Sequence, residues 1–152
     1  MKRLIRLLKL AYIKLVRIND TPQKVALGFG LGVFAGIMPG FGTLLGLLFA
    51  FILKANSASV LIAALLTNTW FTVLAIIPAI KLGSGILGWH WSNVYSEWAL
   101  FIKDFHWVKL VKPETYRFLL PVIIGYLVIS VLAGILAYAA SLAILRRTSV
   151  KK

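Results

Sequence analysis

GFGLGVFAGIMPGFGTLLG, residues 28 to 46, decides how this chain folds. Gly28, Gly32, Gly36 and Gly40 recur at every fourth position, and the stretch holds seven of the twelve glycines in the sequence. Each glycine costs a water-exposed helix about 1 kcal/mol relative to alanine. In a bilayer the same spacing is useful, because small residues four apart let helix backbones approach closely. Met38-Pro39-Gly40-Phe41-Gly42 then interrupts the helix in the middle of an apolar run. Interrupted backbone at membrane depth persists only when buried in protein or facing a cavity. The stretch therefore predicts two short helices joined by a turn, inside a membrane.

The run around it is uncharged from Val25 to Leu53, 29 residues. A single straight helix of that length would measure about 43 Å against a hydrocarbon core of about 30 Å. Split at Pro39-Gly40, neither half is long enough to span. Two arrangements satisfy this: a re-entrant helical hairpin that enters and leaves on one side, or a broken, tilted single span. Pro-Gly-Phe-Gly is turn chemistry more than kink chemistry, which favours the hairpin.

The flanks extend the picture. Residues 1–20 read as an amphipathic helix: Lys2, Arg3, Arg6, Lys9, Lys14 and Arg17 share one face, and Leu4, Leu8, Ala11, Tyr12, Leu15 and Ile18 the other. Such a helix lies in the membrane interface with its cations toward lipid phosphates. Thr21 is placed to cap a helix that has Pro22 at its first position. After a short link, residues 57–80 read as a broken transmembrane helix, with Asn68 between two threonines at its centre and Pro78 near its end. Residues 81–117 form an interfacial loop rich in tryptophan and tyrosine, expected to lie on the surface as a short amphipathic helix. Residues 118–145 form a final transmembrane helix, and 146–152 a basic tail. The fold class is thus an all-α integral membrane protein forming one membrane domain over 1–152.

Composition agrees. The chain is 61% hydrophobic, with a net charge of +13 and no cysteine, and its mean hydropathy is +0.92. Soluble domains are about 45–50% apolar. Disulfides and thiolate metal sites are excluded. Seven lysines and arginines precede Val25 and four follow Leu145. With a re-entrant first segment there are two crossings, and both termini fall on the cytoplasmic side. The positive charge reads as topology and contact with anionic lipid rather than nucleic-acid binding, since the cations flank apolar segments. The expected location is a bacterial inner membrane.

The ordered set Thr21 to Thr43, then Lys54-Ala55-Asn56, then Asn68 resembles a bacterial membrane family known as domain of unknown function two-zero-six-two. That family shows a proline-led entry, a Gly-x-x-x-Gly-x-x-Pro-x-x-Gly core, a basic-x-Asn link and a later Asn-Pro. Here the last is Asn68-Thr69, and Gly42 stands where a glutamine often precedes the threonine. The similarity covers roughly Thr21 to Gly88. It implies an inner-membrane protein, and some members resemble accessories of cell-envelope glycosyltransfer.

Catalytic sets are missing from the sequence. No carboxylates pair within an apolar segment, and no Ser/His/Asp set or metal-spaced cluster occurs. No enzyme activity, cofactor or metal is expected. The best ligand-binding candidates are Pro39, Gly40, Gly42 and Thr43 at the turn, where helix-start amides favour an anion. Thr43 is placed to cap the second half. Lys54 and Asn56 are expected at the base of the hairpin, with Lys54 also able to meet a lipid phosphate. Asn68 is a buried amide in need of a partner. Gly28, Gly32, Gly36 and Gly46 are expected to pack helices, and their face is the expected contact in a homo-oligomer. Transport or flipping of an anionic or lipid-linked solute leads; a non-transporting scaffold for an envelope enzyme is the alternative.

Overall fold

The computed structural model describes residues 20–108 and 113–149, without the side chains of Asn68, Thr69, Glu114 and Ser149. The predicted amphipathic helix over 1–20 and the end of the basic tail fall outside the described residues, apart from Asp20 and residues 146–149. Five α-helices make up the described chain: α1 (Pro22–Ile37), α2 (Gly42–Ile52), α3 (Ser57–Leu87), α4 (Trp91–Lys103) and α5 (Pro113–Ser149). No strand occurs among the described residues. Two stretches, Trp70–Leu87 and Thr115–Thr148, are long and apolar enough to cross a membrane.

Local chemistry sets the boundaries. Thr21 caps α1, its hydroxyl accepting from the Lys24 amide at 3.4 Å, with Pro22 in the first turn. Pro39 disfavours helical backbone at the preceding residue. Met38 is accordingly extended (φ −67°, ψ 126°), and α1 stops at Ile37. Gly40 takes φ +81°, which a side chain would resist, and the chain reverses. α2 ends in a Schellman arrangement. The Ala55 amide donates to Ala50 at 2.8 Å, the Lys54 amide to Phe51 at 3.3 Å, and Lys54 occupies the left-handed position (φ 52°) usually held by glycine.

Two helices are longer than their apolar runs. α3 continues to Leu87 rather than stopping near Ile80, and it is one continuous helix through Pro78. It closes with a second Schellman arrangement, Trp89 amide to Ser84 at 2.8 Å, with Gly88 at φ +69°. Within the expected interfacial loop, Trp91–Lys103 is helical. α5 starts at Pro113, five residues before the apolar stretch, because proline suits a first helical turn.

The described residues divide into two compact units: 20–69 with 130–149, and 70–108 with 113–129. In the first unit α1 is the central helix. Its face of Gly28, Gly32 and Gly36 meets the first three turns of α3: a Cβ on Gly28 would strike the Asn56 carbonyl, on Gly32 the Val60 carbonyl, and on Gly36 the Thr67 hydroxyl. Gly30, on another face, lies against Gly134 and Tyr138 of α5, where an added Cβ would sit 2.7 Å from the Gly134 carbonyl oxygen. α2 lies along α1 through Gly42 and Gly46, both against Ala35, with Phe34 and Phe49 edge to face at 6.3 Å. The glycine face expected to join copies of the chain is therefore consumed within it.

The second unit repeats the device. Ala79 and Gly83 of α3 cross Pro121 and Gly125 of α5; a Cβ on Gly83 would strike the Pro121 carbonyl, and one on Gly125 the Ala79 carbonyl. The Tyr126 hydroxyl donates to the Thr72 carbonyl at 2.6 Å. α4 is held to α5 by Phe101 on Phe118, with ring centroids 5.3 Å apart.

Candidate functional site

The sequence places its candidate ligand residues at the two ends of the α1–α2 pair, and the structure gives the two ends different characters. At the base, Asn56 is 5% exposed and ties three segments together. Its side-chain oxygen accepts from the Ser59 amide at 2.8 Å and the Ser59 hydroxyl at 3.1 Å, which caps α3. Its amide nitrogen donates to Asp20 at 2.7 Å. Its backbone amide donates to the Lys24 carbonyl at 3.1 Å. Lys24 and Asp20 also form an ion pair at 3.8 Å, half exposed on the lysine side. Such a pair contributes about 0–1 kcal/mol.

Asn56 thus closes the base of the helix pair, as its position between α2 and α3 implies. Its side-chain oxygen and one of its two side-chain N–H donors are engaged here, so at this end of the pair Asn56 acts as a clasp. Lys54 does not share in the clasp. It is exposed, and its distinctive property is its left-handed backbone.

At the tip, Pro39, Gly40 and Phe41 are exposed, Phe41 to 78%. Gly42 is buried against Ala35. Thr43 does not cap α2. The helix begins one residue earlier, at Gly42, with Phe41 in the cap position and no side-chain hydrogen bond there. Thr43 is left exposed in the first turn. First-turn amides lack intrahelical acceptors, so the tip offers donors and a hydroxyl. Behind it, the Ser130 hydroxyl lies 3.8 Å from the Met38 sulfur, a weak contact that ties the turn to α5.

Asn68 lies within α3, and its side chain is outside the described residues. Its neighbour Thr67 is satisfied locally, donating to Ala63 at 2.8 Å. The structure therefore brings Pro39, Gly40, Gly42 and Thr43 together at one end of the pair and Asn56 with Asp20, Lys24 and Ser59 at the other. Asp20 and Ser59 were not singled out by the sequence, because a hydrogen bond across 36 residues leaves no spacing signal.

The chain matches a family described as "Uncharacterized protein conserved in bacteria (DUF2062)" over residues 5–152. It belongs to this family. The family match extends well beyond the Thr21–Gly88 region on which the resemblance rests, and takes in α4 and α5. No curated protein and no solved structure matches the chain. Among the described residues, no group of three or more His, Asp or Glu side chains is placed to hold a metal ion.

Proposed function

We propose that this DUF2062-family chain is a multi-pass membrane protein that carries or flips an anionic or lipid-linked solute at the tip of a re-entrant α1–α2 pair. The carrying observation is the break at Met38–Phe41 between helices of 16 and 11 residues. At 1.5 Å per residue they are about 24 and 16 Å long, each short of a core of about 30 Å. The clasp supports re-entry over a broken span: the Lys24 carbonyl at the start of α1 lies 3.1 Å from the Asn56 amide just after α2, so the outer ends are side by side. A single broken span would set them a membrane apart.

Lipid accounts for the surface of the long helices. Only 22% of the Trp70–Leu87 stretch and 33% of the Thr115–Thr148 stretch is buried, whereas the core helix of a water-soluble domain would be mostly covered. The charge bias then keeps both termini cytoplasmic. For the solute, uncapped first-turn amides at the start of α2 favour negative charge. No acidic residue occurs between Asp20 and Glu97 to oppose it. Anionic lipid is the expected surrounding, and a small bundle of this kind is expected to work as a homo-oligomer through surfaces other than the Gly28–Gly36 face.

A scaffold reading has its own support in the apolar residues exposed around the tip, Phe41, Leu44 and Leu48, which suit a protein partner. One experiment separates the two. The protein is reconstituted in liposomes with a fluorescent prenyl phosphate, and outward exposure is followed by an impermeant quencher. Thr43→Val is expected to slow flipping at least tenfold with unchanged melting. Wild-type flipping by Thr43→Val, or no flipping by the native protein, overturns the transport reading.

A further inference from the structure

The second unit carries an open cleft whose lining is mixed polar and apolar. It measures about 390 Å³, and its lining includes Trp89, His90, Asn93, Glu97, Arg117 and Phe118. Helix geometry explains the convergence. Asn93 and Glu97 are four residues apart and share one face of α4, and His90 is the extended residue at its N-cap. Arg117 and Phe118 come from the second turn of α5. Phe101 against Phe118 fixes one wall to the other, and buried Val94 also lines the cleft.

Two features give the cleft its chemistry. The first is that Glu97 and Arg117 face the same opening without pairing: neither side chain makes an ion pair or hydrogen bond with another described residue. A carboxylate and a guanidinium that line one cleft and do not meet leave room for a molecule carrying both signs. The second is the setting. Trp89, Trp91, Tyr95 and Tyr116 are exposed around this region, and the Lys81 ammonium sits 4.9 Å above the Trp91 ring. Tryptophan, tyrosine and lysine in this combination mark the depth of lipid headgroups.

We infer that this cleft binds a phosphate ester bearing a primary ammonium group, the chemistry of an ethanolamine phosphate. Arg117 takes the phosphate through its planar fork. Glu97 accepts from the ammonium. Trp89 and Phe118 cover the carbons between, and His90 and Asn93 supply further polar atoms. A purely anionic ligand would face the Glu97 carboxylate, and a purely cationic one the Arg117 guanidinium. Both a membrane lipid headgroup and the free phosphomonoester carry the required groups.

Native mass spectrometry of the intact protein, released from micelles containing equimolar phosphatidylethanolamine and phosphatidylglycerol, tests the inference. Phosphatidylethanolamine is expected to be retained in preference. Glu97→Gln is expected to abolish that preference, and Arg117→Gln to lower retention about tenfold, the loss that follows from one charge-assisted contact. Both side chains are exposed, so melting temperatures should match wild type, which separates loss of the site from loss of the fold. Soluble ethanolamine phosphate added as competitor distinguishes the sources: displacement assigns recognition to the head group alone, and retention despite it assigns the membrane lipid. Equal or greater retention of phosphatidylglycerol by the native protein, or an unchanged preference in Glu97→Gln, overturns the inference.

Discussion

Replacing Asn56 with alanine separates a clasp from a ligand group, and its cost follows from the hydrogen bonds the residue makes. Loss of the α3 cap, the 2.8 Å bond from the Ser59 amide, costs about 1 kcal/mol. The Ser59 hydroxyl is fully buried and bonds Asn56 at 3.1 Å. Left without that partner it costs about 1–2 kcal/mol more. Asp20 is about a quarter exposed and regains water, so the lost 2.7 Å bond adds little. With the Asp20 term small, the other two sum to an expected loss of about 2–3 kcal/mol. In micelles, followed by tryptophan fluorescence, that lowers the melting temperature by about 5–10 °C on the scale of domains this size. Adding Ser59→Ala should recover about 1 kcal/mol, because the orphaned hydroxyl is gone. If Asn56→Ala melts with the native protein and loses only activity, the clasp is wrong and Asn56 belongs to a ligand site.

Three further substitutions test the packing. Gly32→Leu places a side chain against the Val60 carbonyl and within 2.6 Å of the Ala63 methyl, so the α1–α3 contact should fail, seen as loss of the monodisperse folded peak on size exclusion. Lys54→Gly relieves a left-handed backbone and should raise stability by about 0.5–1 kcal/mol in thermal unfolding. Tyr126→Phe removes the donor to Thr72 at 2.6 Å and should lower stability by about 0.6–1.5 kcal/mol in the same assay.

What the sequence reveals and what it hides divide along physical lines. The Thr21 cap, the stop before Pro39 and the turn at Gly40 are legible because each is decided within a few residues. The ends of α3 and α5 are misjudged because apolarity is a poor marker of where a helix stops. Lys81 interrupts the apolar run, yet it stays helical with its ammonium over Trp91. The true stop signal is Gly88 at positive φ, and the true start of α5 is Pro113. The Gly28–Gly32–Gly36 spacing announces close packing but carries no address. Only the fold shows that the partner is α3 of the same chain. The crossing of Ala79 and Gly83 with Pro121 and Gly125 uses the same principle, but pairs of small residues four apart are too common to be read alone. At the candidate site, the tip is visible as a motif. The Asp20–Asn56–Ser59 clasp is not, because it depends on the return of the chain after α2.

On the proposed reading, the α1–α2 tip is a site reached from water within the bilayer. The chain has no cysteine, so Thr43→Cys supplies a unique probe. The measurement is its labelling by an impermeant maleimide in intact cells and inverted vesicles, with and without added prenyl phosphate. Labelling from one face, blocked by prenyl phosphate, is the predicted result. A thiol in the Thr43→Cys protein that no reagent reaches from either face, or one that labels equally with and without the lipid, would rule out a water-accessible lipid-phosphate site at the tip.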